Sequence, residues 1–485
     1  MTSSSSEEYE RQLTQLRALI KTTRERKFQR ELQKAQYGIS ADPSITIDLD
    51  NLTRELAEQE QQLKDLEAHG PVAQPTAPAD GARVAPLSPP PPNRVTKASP
   101  SGIELTLRFS RANDGATITW ESDAIGHTVS SFRPPYDQLT LQLIVKALDA
   151  AQLGADYAWK RLNQQEQDQL TTLGLWADSK PLADIHRLAG QKLYQALVAD
   201  PEAEKALSKV RDAATFQGLP VSYLLRFPPD TAELAILPWE LLWDQDNALL
   251  LSRGEPSACV RYLDLPQALP PPRPASQKLR ILAVAPDAFI EADVREKERA
   301  ARQTAWAALE SAGVVEAEEL NPATRSGLVD RIQNGPPIDI LHFYGHGRYT
   351  NGMGALLFDT DDGDGTWVNA KQLAVLLGKI RLVVLNACQS AMISDRGLLT
   401  GVAPALIAAG VPAVLAMQLT VRAESATRFA KIEYRSLARG ESLQQAVNLA
   451  RQALYFEEDE GGSWYVPTLM IRSRDTGPLY LIKNS

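Results

Sequence analysis

His346 and Cys388 are the two side chains of this sequence whose chemistry and surroundings point to a nucleophilic site. Each follows an apolar run, residues 338–344 for the histidine and residues 382–385 for the cysteine. β-Branched and aromatic residues dominate these runs, which predicts buried strands. Because the carboxyl ends of neighbouring parallel strands meet at one edge of a sheet, we expect the two side chains to face each other. A cysteine beside a histidine is the arrangement that a thiol nucleophile needs.

The residues around His346 favour the same interpretation. Gly345 and Gly347 let the backbone turn sharply and leave the Gly347 N–H uncovered. That N–H and the N–H of Cys388 are candidates for holding a developing oxyanion. A free thiol has a pKa of about 8.5, and a nearby imidazolium or the start of a helix, predicted here at residues 390–392, would favour the thiolate. Taken alone, a turn histidine more often caps a carbonyl, and a single cysteine is more often a small buried side chain.

Five short motifs together resemble the CHAT-domain proteins, the bacterial caspase-like branch related to separase. They are LPWELL at residues 237–242, HFYGHG at residues 342–347, NACQS at residues 386–390, GVAPAL at residues 401–406 and Ala450-Arg451. The caspase signature has Gln-Ala-Cys, then Arg, Gln or Gly, then Gly, about 50 residues after its histidine. Here Asn386 replaces the Gln, Ser390 replaces the Gly, and Cys388 lies 42 positions after His346. The resemblance covers roughly residues 100–480 and is specific only as a set.

The resemblance implies a cysteine endopeptidase of the caspase and hemoglobinase class. Cys388 would attack the scissile carbonyl, and His346 would assist the thiolate and protonate the leaving amine. In related peptidases, positions just before the cysteine and on the following strand line the first specificity pocket, and they match Asn386 and Gln418. Neither residue is charged, so no acidic or basic preference follows. The substrate would be a polypeptide, and a partner protein would trigger cleavage in bacterial defence or programmed cell death.

A catalytically inactive scaffold or recognition module of the same fold is the alternative. The intact pair of His346 and Cys388 and the flanking glycines argue against it, because a protein without turnover has no chemical need for them. A thiol-reactive peptidyl probe would distinguish the two functions.

The surrounding elements predict an α/β fold, a caspase-like sandwich with a mostly parallel sheet in residues 275–485. Strands and helices alternate there, which favours parallel pairing. A smaller α+β lobe precedes it in residues 101–265, with a hairpin of strands at residues 103–109 and 116–120. The resemblance to separase-type architecture implies that this lobe is a degenerate caspase-like unit.

Residues 1–69 are predicted to form a helical hairpin or coiled-coil adaptor. Leucines recur there at helical spacing, and a breaker at residues 37–43 divides them into two antiparallel helices. The hairpin either packs only on itself or joins a partner or a second copy through residues 7–69; a two-helix unit has little core of its own, which favours the second role. Residues 70–100, rich in Pro and Ala, are predicted to be an extended linker.

Composition limits the remaining functions. The net charge of −9 argues against nucleic acid as a ligand. Two cysteines far apart and a polar N-terminus predict a reducing, cytoplasmic setting without a signal peptide. Residues 398–421 contain no charged residue and are long enough to span a bilayer, but Gly410-Val411-Pro412 predicts a buried helix, a turn and a core strand instead.

Several other residues are predicted to be structural, and no cofactor or metal is expected. His342 is on a strand without a third ligand nearby, and Cys259 lies among apolar residues. Glu240 is predicted to pair with an arginine such as Arg253 or Arg261, beside indoles that anchor packing. The acidic loop at residues 359–364 departs from the calcium-binding pattern and is predicted to be a solvated hairpin loop.

Overall fold

The protein is described by a computed structural model with two compact units, Met1–Asn93 and Arg94–Ser485. The described residues are 13, 16, 19, 23, 52, 54, 55, 58, 59, 61–63, 65, 102–153, 162–245, 247–251, 258–263, 278–288, 292–311, 313, 315–350, 353–361, 365–378, 380–387, 401–419, 421–439, 441–457 and 462–472.

In the first unit, every described position is helical. Leu13 and Leu52 are buried, as expected for the apolar positions of helices that have a packed face. The antiparallel arrangement of the two predicted helices, the breaker at residues 37–43 and the linker at residues 70–100 lie outside the described residues, so the adaptor function stays a prediction.

The second unit contains eighteen strands and ten α-helices within its described residues. The strands are β1 (Ile103–Ala112), β2 (Gly115–Ser122), β3 (Gly126–Phe132), β4 (Trp176–Ala177), β5 (Lys180–Pro181), β6 (Val221–Phe227), β7 (Trp243–Asp244), β8 (Asn247–Ala248), β9 (Ala258–Leu263), β10 (Leu279–Val284), β11 (Val315–Leu320), β12 (Ile340–Tyr344), β13 (Gly347–Thr350), β14 (Met353–Asp359), β15 (Gly365–Asn369), β16 (Leu382–Asn386), β17 (Ala413–Met417) and β18 (Pro467–Ile471). The helices are α1 (Gln138–Leu153), α2 (Gln164–Thr172), α3 (Ile185–Leu197), α4 (Pro201–Gln217), α5 (Ala292–Ser311), α6 (Arg325–Asn334), α7 (Ala370–Leu377), α8 (Val402–Ala408), α9 (Ala423–Ala438) and α10 (Leu443–Glu457). The predicted hairpin of β1 and β2 is confirmed.

Eleven of these strands form one sheet in the order β11-β10-β12-β16-β17-β18-β9-β6-β1-β2-β3. Neighbouring strands are parallel except at three boundaries: β17 with β18, β1 with β2 and β2 with β3. The predicted α/β class with a mostly parallel sheet is therefore confirmed. The central strands β16 and β17 are buried at every position, as expected where both faces of a parallel sheet are covered.

Side-chain alternation along β12 separates the two faces of the sheet. On one face, His342 contacts Tyr434 of α9 and Tyr344 contacts Trp306 of α5. On the other face, Phe343 packs against Phe358 of β14. Helices and a small second sheet thus cover opposite faces, which makes this half of the unit a sandwich.

Both predicted lobes contribute strands to the large sheet. β9, from residues 101–265, lies between β6 and β18 and pairs in parallel with both. β18 lies in residues 275–485, so the two lobes are joined edge to edge by backbone hydrogen bonds. The lobe boundaries themselves stay a prediction.

Within the apolar stretch, Val402–Ala408 form α8 and Ala413–Met417 form β17, which confirms the predicted helix, turn and core strand. Gly410 between them has φ +108°, a conformation that glycine adopts without strain. Within the described residues, no helix combines the length and apolar character needed to cross a bilayer.

Candidate active site

The ends of β12 and β16 lie side by side. Tyr344 is directly opposite Asn386 in the parallel register. One residue further, the Gly345 N–H donates to the Asn386 carbonyl at 3.2 Å. The segment that carries His346 therefore starts beside the strand end that leads to Cys388, as the sequence predicts.

His346 lies between the large sheet and the small sheet of β13, β14 and β15. Its carbonyl accepts a hydrogen bond from the Leu357 N–H at 3.0 Å, which anchors the turn to β14. Burial lowers the pKa of the imidazole below its ordinary value of 6.5, so the neutral ring is favoured at neutral pH. A neutral imidazole can accept a proton, which is what a general base requires.

Glycine suits the two positions beside His346 for different structural reasons. A Cβ atom on Gly345 would lie 3.3 Å from the Phe343 ring and 3.5 Å from Pro286, a tighter fit than most side chains have. Gly347 is opposite Leu356 in the antiparallel pair of β13 and β14. Because hydrogen-bonded and non-hydrogen-bonded pairs alternate in such a ladder, and His346 is bonded to Leu357, the Gly347 N–H points away from β14. A donor that points away from β14 is consistent with the oxyanion role predicted for this N–H.

Cys388 lies outside the described residues, and so do residues 389–400. The chain is described up to Ala387, which is fully buried directly after β16. The distance between His346 and Cys388 is not part of the described geometry, so the catalytic pair stays a prediction.

Asn386 and four other polar residues form a group beneath the two strand ends, which we call the strand-end cluster (His342, Tyr344, Asn386, Glu433 and Tyr434); all are buried except Tyr344, which is partly buried. The hydroxyls of Tyr434 and Tyr344 lie 2.7 and 3.0 Å from His342 Nδ1. The rings of His342 and Tyr344 stack, with centroids 3.9 Å apart. The predicted structural role of His342 is consistent with this position in the core, where it is 0% exposed.

Burial and nearby charges set the protonation of this cluster. Burial, and then the Arg302 guanidinium, lower the pKa of His342 well below 6.5, while the Asn386 amide acts in the opposite direction. Burial raises the pKa of Glu433 to about 8, so its carboxyl is largely neutral at pH 7. Within the described residues, neither oxygen of Glu433 has a hydrogen-bond partner. The polar atoms of the Asn386 side chain and His342 Nε2 also lack a well-formed hydrogen bond there, although the Asn386 amide is close enough to His342 to act on its pKa. Unpartnered buried polar atoms are rare in folded proteins and often mark functional sites.

A second buried group joins the two predicted lobes, and we call it the seam network (Glu240, Arg261, Gln418 and Arg451). Glu240 forms an ion pair with Arg261 of β9, which confirms one of the two predicted partners; the other, Arg253, lies outside the described residues. Arg451 of α10 lies 3.7 Å from the second Glu240 oxygen. All four side chains are at most 7% exposed.

The Gln418 amide is fully engaged inside this network. Its Nε2 donates to Glu240 at 3.1 Å and to the Tyr465 carbonyl at 2.9 Å. Its Oε1 accepts from Arg261 at 3.1 Å. Gln418 directly follows β17, which neighbours β16, so it lies at the same edge of the sheet as the strand-end cluster. Its predicted contact with substrate, like that of Asn386, stays a prediction.

The rest of the LPWELL motif packs the smaller lobe. Trp239 is fully buried against Phe109, with ring centroids 5.3 Å apart, and its Nε1 donates to the Leu234 carbonyl at 2.9 Å. This confirms the predicted packing role. Gly190 of α3 is required here, because a Cβ atom would lie 1.9 Å from the Leu241 carbonyl oxygen.

The remaining candidate residues have structural surroundings. Cys259 is 2% exposed, which confirms its predicted core position, and burial raises its pKa to about 12. Asp359 accepts a hydrogen bond from the Ala288 N–H at 2.8 Å, while residues 362–364 of the acidic loop lie outside the described residues. Across the described part of the chain, no three His, Cys, Asp or Glu side chains are grouped as a metal site would need.

Glu433 and Tyr434 were missed by the sequence interpretation. They lie on the apolar stripe of α9 between Ala430 and Leu437, where every other described position facing the core is small or apolar or carries a single hydroxyl. A glutamate on such an apolar stripe is the sequence feature that points to Glu433, because ionisable side chains are seldom fully buried without a reason.

The sequence model of the CHAT domain matches residues 187–465, which confirms the resemblance seen in the motifs. A structure of the Saccharomyces cerevisiae separase–securin complex is 10% identical, with a TM-score of 0.39, and the match covers 76% of this chain but only 30% of that chain. The Arg-specific cysteine proteinase gingipain R is 11% identical, with a TM-score of 0.40, over 62% of this chain and 74% of that chain. The complex of Porphyromonas gingivalis RgpB pro- and mature domains is 11% identical, with a TM-score of 0.38, over 66% and 78% of the two chains. No curated protein matches the sequence.

Proposed function

The chain belongs to the CHAT-domain family, and on that premise we propose that it is a caspase-like cysteine endopeptidase with His346 and Cys388 as its catalytic dyad. One observation carries the proposal. β12 and β16 are parallel neighbours that end together, and the N–H of Gly345, the residue after β12, donates a hydrogen bond to the carbonyl of Asn386, the last residue of β16. His346 and Cys388 follow these two residues by one and two positions, and consecutive Cα atoms are only about 3.8 Å apart.

In the proposed reaction, neutral His346 takes the proton of the Cys388 thiol as the sulfur attacks the carbonyl carbon of the peptide. The carbonyl oxygen becomes an oxyanion that the N–H groups of Gly347 and Cys388 stabilise. The imidazolium then gives its proton to the leaving amine as the C–N bond breaks, which leaves a thioester. Water hydrolyses the thioester, with His346 again accepting a proton.

The pKa of His346 favours this order of events over a preformed ion pair. The sequence favours a thiolate beside an imidazolium, but burial of His346 favours the neutral ring. Proton transfer during the attack therefore fits the site better than a thiolate that exists before substrate binds. Asn386, at the last position of β16, is the proposed contact to the substrate side chain next to the cleaved bond.

Thiol labelling tests the proposal on the full chain. Cys259 is buried and has a raised pKa, so iodoacetamide should modify Cys388 alone in the folded protein. A peptidyl acyloxymethyl ketone should label wild type and Cys259→Ala, but not Cys388→Ala. His346→Ala should lower the rate by about 10²–10⁴-fold, the usual contribution of a general base. His127→Ala, at an exposed position on β3, is the matched control and should behave as wild type.

Equal labelling of wild type and Cys388→Ala, or no labelling even after lysate of the native host is added, would favour the inactive scaffold. The lysate matters because we also propose that a protein partner, or a second copy, controls cleavage through residues 7–69. Such control fits a defence or cell-death pathway, in which a constantly active peptidase would harm its host. A truncated protein beginning at Gly102 that is soluble, equally activated and unchanged in oligomeric state would contradict that regulation.

A further inference from the structure

Gln418 has no hydrogen-bond donor left for a ligand. A glutamine amide has two N–H donors, and here both are used, by the Glu240 carboxylate and the Tyr465 carbonyl. Its oxygen already accepts from Arg261. The Gln418 amide could therefore donate a hydrogen bond to a substrate side chain only if one of these buried bonds were broken.

The orientation of that amide is set by residues from both lobes. Glu240 and Arg261 come from the smaller lobe, while Gln418 and Arg451 come from the half that contains His346. The two guanidinium groups exceed the single carboxylate by one positive charge, and all of them are at most 1% exposed. Within the described residues, Glu240 is the anion that pairs with both of these buried cations, and Gln418 is bonded directly to it.

The backbone at Gln418 is placed by the same seam. Its N–H donates to the Val466 carbonyl at 3.1 Å, just before β18 begins. β18 in turn pairs with β9, with Met470 opposite Arg261. The strand end that follows β17 is thus held by two bonds within its own half, to Val466 and Tyr465, and by two side-chain bonds to the smaller lobe, at Glu240 and Arg261.

We propose that Gln418 is a positioning residue, fixed by Glu240 and Arg261, through which the smaller lobe sets the edge of the sheet where a peptide substrate binds. β17 neighbours β16, so a displacement at Gln418 changes the space beside Asn386. The residue acts through the network and makes no direct contact with the peptide. The catalytic part of this inference rests on the proposed peptidase function, while the structural part does not.

Two variants of the full chain test the inference, and a third is the control. Glu240→Gln keeps the size of the side chain but removes the only anion of the network. Gln418→Met removes the three amide bonds and leaves the ion pair of Glu240 and Arg261 in place, so it remains informative if Glu240→Gln does not fold. Gln444→Met replaces a buried glutamine of α10 outside the network.

Each protein is examined by hydrogen exchange, by iodoacetamide and by peptidyl acyloxymethyl ketones with Asp, Arg, Leu or Gln next to the warhead. Exchange at residues 413–419 should rise about tenfold or more in Glu240→Gln and Gln418→Met, because bonds to a charged group are lost. Labelling by the peptidyl reagents should fall about 100-fold, the effect of a small misplacement at a reactive site. Iodoacetamide needs no substrate pocket, so its rate at Cys388 should not change. Gln444→Met should match wild type in all three measurements.

A double variant provides a rescue test. Glu240→Gln combined with Gln418→Glu returns one carboxylate to the network. In the wild type the amide at position 418 donates to the carboxylate at position 240, and in the double variant the amide at position 240 would donate to the carboxylate at position 418. Arg261 regains an anionic partner, but the Tyr465 carbonyl loses its donor. Peptidyl labelling should recover in part relative to Glu240→Gln alone.

If folded Glu240→Gln or Gln418→Met exchanges its amide hydrogens at residues 413–419 as slowly as the wild type does, the inference is wrong. It is also wrong if exchange becomes faster but the rate of labelling by the peptidyl reagents does not change. If the wild-type protein reacts with iodoacetamide but with no peptidyl reagent, even with host lysate, the proposed peptidase function fails. The exchange measurement then still decides whether Glu240 holds this edge of the sheet.

Discussion

Glu240 and Glu433 are two carboxyl groups, both 0% exposed, that the protein buries in opposite ways. Glu240 in the seam network lies against two guanidinium groups, Arg261 and Arg451. Glu433 in the strand-end cluster has no hydrogen-bond partner within the described residues, and burial raises its pKa to about 8. The charge of Glu240 is compensated by two neighbouring cations, whereas the raised pKa of Glu433 keeps its carboxyl largely uncharged at pH 7.

The difference separates a region that holds two lobes together from a region beneath the candidate catalytic turns. A buried ion pair resists rearrangement, because either partner left alone is a costly buried charge. The carboxyl of Glu433 and the amide of Asn386 lack well-formed hydrogen bonds within the described residues, so they do not gain the rigidity that a fully satisfied polar network provides. Buried polar groups with poor hydrogen bonding occur most often at functional sites, and here such groups lie next to His346 and the end of β16.

Arg261→Met should have the largest effect on stability. It removes the hydrogen-bonded one of the two cationic partners of Glu240, one bond to Gln418 and one to the Ala235 carbonyl, which Arg261 Nη1 contacts at 2.6 Å. The free energy of unfolding should fall by about 3–5 kcal/mol, the usual result of breaking a buried pair. Urea denaturation measures this change.

Arg428→Met is the control for this prediction. Arg428 pairs with Glu457 across α9 and α10, but both side chains are at least 40% exposed. Its loss should cost about 1 kcal/mol or less, as for exposed pairs in general. Equal losses for the two variants would mean that burial does not distinguish the seam network from a surface pair.

Glu433→Gln should change the pH dependence of stability. The folded pKa of about 8 exceeds the ordinary value of 4.5, so between these values the folded state binds more protons than the unfolded state. The stabilising effect of this excess is complete below pH 4.5 and is lost as the pH rises towards 8, at about 1.4 kcal/mol per pH unit for this one group. Denaturation at several pH values should show that the variant lacks this decline.

Glu424→Gln, at an exposed position on the same helix α9, should keep the wild-type pH slope. The same slope in wild type and Glu433→Gln would show that Glu433 is not buried as a neutral acid. Glu433 would then not differ from Glu240 in being buried as a neutral acid.

Tyr344→Phe and Tyr434→Phe should have the smallest effects. Each removes one hydroxyl near His342 Nδ1, and each should cost less than about 1 kcal/mol because the other hydroxyl remains within reach of that nitrogen. A ring nitrogen makes one strong hydrogen bond, so either hydroxyl can replace the other. The double variant should therefore lose more stability than the sum of the two, by about 0.5 kcal/mol or more. Additive losses in a double-mutant cycle would show that only one hydroxyl bonds to His342.

Much of the fold follows from local sequence pattern. The apolar runs at residues 338–344 and 382–385 predict two buried strands, which the structure has as β12 and β16, and the glycines around His346 predict a sharp turn after the first of them. The break at Gly410 correctly separates α8 from β17. These features depend on neighbours within a few residues, so periodicity and turn chemistry are sufficient to find them.

Other features depend on partners that are distant in the chain. Gln418 bonds to Glu240 across 178 positions, and Tyr434 reaches His342 across 92. The sequence predicts that Glu240 pairs with an arginine, and it places Gln418 at a strand end beside a substrate, but no local pattern shows that the two share one network. It likewise gives no reason for Glu433 to be neutral, because a pKa depends on what surrounds the group after the chain has folded. The sequence by itself determined the strands, the turns and the reactive residue types, since these are local properties. Only the tertiary structure decided which buried polar groups face each other, because that requires the sheet order to bring together residues that are far apart in the chain.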